Sequence, residues 1–435
     1  MKSPLPTERK VVLYLQVHQP RRLNTLNFFD IGASGSYFHD ELNEQIVRRV
    51  ARQCYLSTNA LLLKLIEKHP QIRIVFSISG VAIDQFEEFA PEVLESFRKL
   101  AATGAVEFLC ETYYHSLACE MESDEFEAQI VKHAEKILEH FHVRPAVFRN
   151  TELIYNDTIG RRVHMMGFAG VITEGAPKAL GNRPPNYLYE HPDKNGLKIL
   201  PRNYRLSDDI AFRFVDFKLT ADKFIGWLRT IPQDDTLITL GIDYETMGEH
   251  HRPESGIHKF LETLLTSIVK QKDIRMISAS EAVKTIPVKD VLPVKDTISW
   301  ADEARDLSAW LGNDMQRDAF YTASKMEQSV KAMGDPTILK HWRYLLTSDH
   351  FYYMATKTSG DGNVHAYFSP YPSPYEAFIN FMNVIADFSI HAKAAQEASL
   401  EKASAMAEHE RQKQNEVVPT WALNVDQDHH SNYRH

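Results

Sequence analysis

The sequence predicts an α/β protein in which a mainly parallel sheet is followed by a helical domain. Short apolar runs typical of buried strands recur through the first part of the chain, and amphipathic helical stretches lie between them. This alternation indicates repeated strand-helix units, which place successive strands parallel to one another. After about residue 293 the strand-like runs stop and helical patterns dominate. The pattern alone leaves open whether the sheet closes into a barrel.

Each predicted strand is an apolar run of five to eight residues. One of the intervening helices, residues 90–104, places Val93, Phe97 and Leu100 on a single face, and Gly104 supplies its C-terminal stop. The predicted strands cover residues 11–17, 72–79, 105–110, 146–150, 169–174, 197–203, 236–243 and 274–280.

The chain is expected to divide into three segments. Residues 1–292 form the strand-and-helix domain, residues 293–395 form a helical domain, and residues 396–435 form a helical extension with a flexible tail. The boundary lies in a Pro-containing connection at residues 289–296. The last part of the tail has no amphipathic period, which is typical of a poorly ordered terminus.

Composition excludes several classes of protein. The 435 residues include 49 Lys and Arg against 58 Asp and Glu, a net charge of −9. This balance argues against nucleic acid or an anionic membrane as partner and fits a neutral substrate. The sequence lacks an apolar run of the ~20 residues that span a bilayer, and it lacks a signal-peptide pattern, so we expect a cytoplasmic protein. Its three cysteines, an odd and sparse set, argue against a disulfide framework.

Two carboxylic acids follow predicted strands. Glu152 comes just after the strand at residues 146–150, and Asp243 ends the strand at residues 236–243, in the titratable segment IDYETMGEHH. Acids at the carboxyl ends of parallel strands are placed where such sheets carry their sites, and a pair suits glycoside cleavage. The alternative is that each acid caps the helix that follows it.

Six motifs in order resemble the conserved regions of glycoside hydrolase family 57, specifically its α-amylase branch. The resemblance spans about residues 10–390 and is most specific at the two acid-bearing segments and at the last motif. The motifs are VHQP at 17–20, SGVAIDQF at 79–86, ETYYHSL at 111–117, FRNTELIYN at 148–156, GIDYETMGEHH at 241–251 and TSDHFYYM at 347–354.

The resemblance implies a fold and a chemistry. The fold is an incomplete seven-stranded (β/α) barrel, with the helical domain completing a substrate cleft. Glu152 would be the nucleophile and Asp243 the acid/base of a retaining hydrolase that cleaves α-1,4-glucosidic bonds through a covalent glycosyl-enzyme. Some amylase-like members of the family lack one or both acids and are thought inactive, but both are present here.

Three other functions remain open from the sequence. A 4-α-glucanotransferase would use the same two acids and differ in its acceptor. A metal-dependent deacetylase or α-mannosidase on a related barrel would need Asp and His ligands at strand ends. A non-catalytic glucan-binding protein is the third alternative, although the loss of an acid that typifies it is absent.

Further residues are candidates for binding the substrate, an α-glucan or maltooligosaccharide. They are polar groups near strand ends, or polar and aromatic groups in the helical domain that could hydrogen-bond or stack on a sugar. For each the alternative is a structural role, such as a capping acid, a core tryptophan or a satisfied histidine. The candidates are His18, Glu111, His115, Trp310, Asp349 and His350.

Two groups of histidines could suggest a metal, but neither has the HExxH or cysteine-containing spacing of a zinc site. We therefore expect no metal and no other cofactor, while the oligomeric state is left open. The histidines concerned are His133, His140, His142, His250, His251 and His258.

Overall fold

The computed structural model describes residues 8–357 and 369–416. Within them the predicted α/β class is confirmed, because most strands pair in parallel and helices follow most of them. None of the helices in these two stretches combines the length and hydropathy needed to cross a bilayer. Residues 417–435 of the predicted tail lie outside the described residues.

The sheet contains every predicted strand and two short ones that the sequence pattern missed, β6 and β10. The strands are β1 Arg9–Val17, β2 Ile74–Ile78, β3 Val106–Phe108, β4 Val147–Arg149, β5 Gly170–Glu174, β6 Tyr189–Glu190, β7 Lys198–Arg202, β8 Leu237–Asp243, β9 Ile274–Met276 and β10 Asp290–Val291.

Seven of these strands follow one another around an incomplete barrel, in the order β1, β2, β3, β4, β5, β7, β8 and back to β1. The longest ladder joins β1 to β8 and pairs Gln16 with Asp243 at its carboxyl end. Two junctions are weak: β3 meets β4 through the single bridge Cys110–Phe148, and β7 meets β8 only at Arg202–Thr239. The incomplete barrel implied by the resemblance is therefore present.

Helices cover the outside of the barrel and form the region after it. A π-helical turn, Ala51–Tyr55, connects the first two. The helices are α1 Asp40–Val50, α2 Leu56–Lys68, α3 Gly80–Phe89, α4 Pro91–Ala102, α5 Glu125–Phe141, α6 Asp157–Met165, α7 Pro177–Leu180, α8 Tyr204–Ala211, α9 Ala221–Thr230, α10 Ile257–Val269, α11 Ala279–Thr285, α12 Ser308–Leu311, α13 Asp314–Lys325, α14 Glu327–Met333, α15 Pro336–Leu345, α16 Ser348–Tyr352 and α17 Pro374–Glu416.

Side-chain caps fix the points where helices leave the strands. Ser79 caps α3 by accepting a hydrogen bond from the Ala82 N–H, and Asn156 caps α6 by accepting from the Ile159 N–H. Short 3-10 turns lie in the loops that follow β1, β3, β4 and β8. They are Phe28–Asp30, Ala118–Glu120, Thr151–Leu153, Tyr244–Thr246 and Pro253–Ser255.

The core is layered as a β/α barrel requires. Alternate residues of β1 point to opposite sides: Val12 and Tyr14 belong to the cluster that fills the barrel, whereas Val11 and Leu13 pack with the helices outside. A further cluster joins Phe148 and Val171 of the barrel to residues of the helical region, among them Trp342 and Phe381. The helical region therefore packs directly on the side of the barrel formed by β4 and β5.

The connection between the barrel and the helical region passes over the carboxyl end of β4. Ile298 forms a bridge with Tyr155, and the backbone N–H of Trp300 donates to the Glu152 carbonyl at 3.1 Å. Residues 298–300 follow the predicted connection at 289–296, and these bonds place them against one of the two candidate catalytic acids.

Candidate active site

Glu152 lies in a strained turn after β4. Its φ of 56° and that of Leu153, 52°, fall in the left-handed region, which non-glycine residues seldom adopt. Backbone bonds at both sides hold the turn, from the Leu153 N–H to the Asn150 carbonyl at 3.0 Å and from the Trp300 N–H to the Glu152 carbonyl at 3.1 Å. Strain retained by surrounding bonds is common at functional sites, where it fixes the direction of a side chain.

Donors surround the Glu152 carboxylate. Oε1 accepts from His115 Nε2 at 3.2 Å and from Ser348 Oγ at 3.1 Å, while Oε2 accepts from the indole N–H of Trp300 at 2.6 Å. Burial acts to raise the pKa of Glu152, but the hydrogen bond and charge of His115 outweigh it and lower the pKa below its usual value. Glu152 is therefore held ionised.

His115 joins two carboxylates. Its Nδ1 lies 2.9 Å from Glu111 Oε2, and its Nε2 faces Glu152. Burial acts to lower the pKa of His115, but the hydrogen bonds and charges of the two acids raise it to about 9. The imidazolium can then donate to both. Burial likewise acts to raise the pKa of Glu111, and His115 followed by Arg149 lowers it to about 2.

Asp243, at the end of β8, has the opposite electrostatic environment. Burial, then the negative charge of Glu152, raise its pKa to about 6, against the opposing charges of Arg149 and Arg202. Within residues 8–357 and 369–416, no hydrogen bond joins its carboxyl group to another side chain. One acid of the pair is thus stabilised as a carboxylate and the other as a carboxylic acid, although both occupy strand ends.

His18 and Asp349 form a second pair beside the acids. His18 Nε2 lies 2.9 Å from Asp349 Oδ2, and Nδ1 lies 2.7 Å from the Ser79 hydroxyl. Its ring stacks on His115 with centroids 3.9 Å apart. Burial and the His115 charge lower the pKa of His18 despite the Asp349 carboxylate, so the ring is neutral and can donate from Nε2 while accepting at Nδ1.

Two of the predicted binding residues are buried against other protein groups. Trp310 is 1% exposed and packs near Tyr352, with ring centroids 6.2 Å apart, so it offers no free face to a sugar. His350 is also buried; its Nε2 donates to the Tyr344 carbonyl at 3.2 Å, and its ring packs near Phe381. The structure brings the other predicted site residues together: Glu152, Asp243, His18, Glu111, His115 and Asp349.

The sequence reasoning missed two donors to Glu152. Ser348 lies next to Asp349 in the motif TSDHFYYM. Its hydroxyl is uncharged, so residue type alone did not mark it as a candidate site residue. Trp300 lies in the connection after the barrel, outside all six motifs, and had no signal at all.

Buried charges support the site from inside the barrel. Arg202 bonds Glu174 at 2.9 Å and Asp208 at 2.6 Å, and its guanidinium carbon lies 5.7 Å from the centre of the Trp300 ring. Arg149 is fully buried, 4.0 Å from Glu111, and its guanidinium carbon lies 5.0 Å from the same ring. The two cations offset the cluster of acids at low dielectric.

Several of the histidines suspected of metal binding are hydrogen-bonded to protein groups. His133 Nε2 lies 2.8 Å from the Ile78 carbonyl, and His258 Nε2 lies 2.8 Å from that of Met247. In the described residues, the one group with ligand atoms close enough to hold an ion is Glu87, Glu139 and His140. Lys136 already bonds Glu87 at 2.8 Å there, which neutralises part of the charge. The absence of a metal stays a prediction.

Comparison with known proteins identifies the family. The profile described as glycosyl hydrolase family 57 matches residues 12–295. The chain belongs to this family. A Methanocaldococcus jannaschii protein that bears the name "Putative alpha-amylase" is 40% identical over 404 residues, covering 88% of this chain and 85% of that protein. Family 57 membership and the glycoside hydrolase class, predicted from the motifs, are confirmed.

Solved structures share the fold at low identity. The branching enzyme of Pyrococcus horikoshii gives a TM-score of 0.63 at 15% identity, covering 80% of this family 57 chain and 85% of its own. The alpha-amylase AmyC of Thermotoga maritima has a TM-score of 0.58 and 14% identity, and the match covers 81% of this chain and 89% of AmyC. The 4-alpha-glucanotransferase of Thermococcus litoralis has a TM-score of 0.61 and 15% identity. The match covers 79% of this chain, which spans only 56% of the length of that enzyme.

Proposed function

We propose that this family 57 protein is a retaining hydrolase of α-1,4-glucosidic bonds in α-glucans or maltooligosaccharides. Glu152 is the nucleophile and Asp243 is the acid/base. The observation that carries the proposal is the contrast between two strand-end acids in one cluster. Three side chains donate to the Glu152 carboxylate, which lowers its pKa, whereas burial and the charge of Glu152 raise the pKa of Asp243 to about 6. A retaining glycosidase needs one ionised and one protonated carboxyl group at the start of its cycle.

The first step makes one bond and breaks another. A carboxylate oxygen of Glu152 attacks the anomeric carbon from the β face, and the Asp243 proton passes to the leaving glycosidic oxygen. The product is a β-linked glycosyl-enzyme, with a shortened glucan released. Charge on Glu152 disappears as the bond forms, so Asp243, which that charge helped keep protonated, becomes a stronger acid as its proton is needed.

The second step returns both acids to their first state. The Asp243 carboxylate removes a proton from water, whose oxygen attacks the anomeric carbon from the α face and releases Glu152. The sugar leaves with the α configuration of the substrate. His115 is protonated at neutral pH while Glu152 is ionised, since its pKa is then about 9, and it stabilises the Glu152 carboxylate of the free enzyme.

Product analysis with maltoheptaose tests the proposal. We expect shorter maltooligosaccharides and a gain in reducing ends, and a loss of several orders of magnitude in Glu152→Gln and Asp243→Asn, each with an unchanged melting temperature. Products longer than maltoheptaose without new reducing ends would instead identify a glucanotransferase. Activity of Glu152→Gln within tenfold of wild type would contradict the assignment. Cytoplasmic location and the absence of nucleic-acid or membrane partners stay predictions from the sequence.

A further inference from the structure

Trp300 contacts the proposed nucleophile twice. Its indole N–H donates to Glu152 Oε2 at 2.6 Å, and its backbone N–H donates to the carbonyl of the same residue at 3.1 Å. The second bond fixes the turn in which Glu152 adopts a positive φ, and the first fixes the plane of the carboxylate. One residue of the connection between the barrel and the helical region thus holds both the backbone and the carboxylate of Glu152.

The indole ring is itself anchored by charge. The guanidinium carbon of Arg149 lies 5.0 Å from the ring centre and that of Arg202 lies 5.7 Å away. Both cations are buried, where such contacts are stronger than at a surface. Cations over an aromatic ring draw electron density toward themselves, so they increase the acidity of the indole N–H and favour its bond to a carboxylate.

The two oxygens of Glu152 are held by different parts of the fold. Oε1 accepts from His115 after β3 and from Ser348 of α16, whereas Oε2 accepts from Trp300. Without the Trp300 bond, the carboxylate would retain donors on Oε1 only and could turn about its terminal torsion, which has broad minima. A nucleophile that turns loses the alignment on which attack depends.

We propose that Trp300 is a positioning residue for Glu152, acting through its indole N–H to hold the carboxylate in plane and ionised. The inference rests on the proposed role of Glu152 as nucleophile. It assigns to the connection, which carries none of the sequence motifs, a direct part in setting the reactivity of a barrel residue.

The test removes the N–H and retains an aromatic ring. In Trp300→Phe, and with Trp300 replaced by 3-benzothienylalanine, which has the indole shape with sulfur in place of N–H, the donor to Oε2 is lost. Loss of a hydrogen bond to a charged group predicts a fall in kcat of roughly 10- to 100-fold with KM little changed. The acid limb of the pH profile should move to higher pH, because a carboxylate that loses a donor is protonated more readily.

The profile is that of kcat/KM for α-maltosyl fluoride, which reports formation of the glycosyl-enzyme and not its hydrolysis. Because the fluoride leaving group needs no proton, the acid limb of this profile reports Glu152 without Asp243. Trp310→Phe is the matched control, since Trp310 is also buried and its indole nitrogen has no hydrogen-bond partner in the described residues. Its acid limb should coincide with that of the wild type. Thermal unfolding checks that each variant is folded. If Trp300→Phe does not fold, the 3-benzothienylalanine variant is used for the test.

An unmoved acid limb in a folded Trp300 variant would overturn the inference. Glu152→Gln, assayed in the same series, separates this from failure of the underlying mechanism. If Glu152→Gln is inactive and the Trp300 variants keep the wild-type profile, Trp300 has no positioning role but the nucleophile stands. If Glu152→Gln retains activity, the proposed function itself fails.

Discussion

The His115 imidazole lies 3.2 Å, through Nε2, from Oε1 of Glu152. This contact joins the loop after β3 to the proposed nucleophile after β4, across the junction where the barrel has only a single bridge. Glu111 holds the other ring nitrogen at 2.9 Å, so the imidazole is fixed at both ends. One of the two weak junctions of the barrel wall is thus connected by charged side chains at the site.

The rate on natural glucans should fall as the solution becomes alkaline. Asp243 donates a proton only when protonated, and the protonated fraction decreases as pH rises through its pKa of about 6. We therefore expect the basic limb of kcat/KM for maltoheptaose near pH 6. In Glu152→Gln, direct titration of Asp243 should give a lower pKa, because the negative charge that raises it has been removed. A basic limb above pH 8 for the wild type would contradict this account.

Asp349→Asn should impair catalysis with little effect on stability. The carboxylate accepts from His18 Nε2 at 2.9 Å and so orients the ring that stacks on His115. Loss of a charged acceptor predicts a decrease of about tenfold or more in kcat/KM, with a nearly unchanged melting temperature. Kinetics and thermal unfolding measured on the same preparations distinguish the two effects.

The neighbouring residue supplies a control with the reverse pattern. His350 is buried against Phe381 and bonds the Tyr344 carbonyl, so His350→Asn should lower stability by about 1–3 kcal/mol while leaving turnover per folded molecule close to wild type. Strong loss of turnover in folded His350→Asn would restore its predicted place in the substrate cleft.

Glu245 makes the stability of the protein depend on pH. Burial, then the charge of Asp243, raise the pKa of Glu245 to about 8. Its carboxyl group accepts hydrogen bonds from the Tyr55 hydroxyl and from the backbone N–H of His18. A carboxyl group with a raised pKa binds a proton in the folded state where the unfolded chain has released it. Stability is therefore lost as pH rises between the unfolded value and about 8.

Glu245→Gln should remove this dependence, because the amide retains an acceptor oxygen and does not titrate. The free energy of unfolding of the variant, relative to that of the wild type, should therefore increase by a few kcal/mol as the pH is raised from about 5 to about 8. Denaturant unfolding at both pH values measures the difference. Parallel pH dependence in the two proteins would mean that Glu245 is already ionised when folded.

The fold was predictable from the sequence because strand runs and helical periodicity are local properties. Long apolar strands such as β1 and β8 have unambiguous patterns, whereas β6 and β10 contain two residues each and are formed by pairing alone. The positions of the two acids at strand ends were also predictable, since each follows a predicted strand and lies in a motif. The proposed α-glucan specificity rests only on the family resemblance.

The parts that the sequence could not predict depend on long-range packing. Trp310 and His350 have residue types that suit sugar binding, and His350 also lies in a motif, but both side chains are buried. Trp300 has neither motif nor strand end, and only the path of the connection brings it to Glu152. Nothing in local sequence distinguishes a tryptophan that packs from one that donates to a carboxylate 148 positions away.

Azide rescue tests most directly the central claim that Glu152 attacks and Asp243 transfers the proton. With α-maltosyl fluoride, Asp243→Ala should still form the β-linked glycosyl-enzyme, and azide should displace it from the α face to give α-maltosyl azide. Glu152→Ala cannot form that intermediate, so azide should attack the substrate from the β face and give β-maltosyl azide. The anomeric coupling constant in the proton NMR spectrum reports each configuration. The reverse pattern, or β-maltosyl azide from both variants, would contradict the assignment of the two acids.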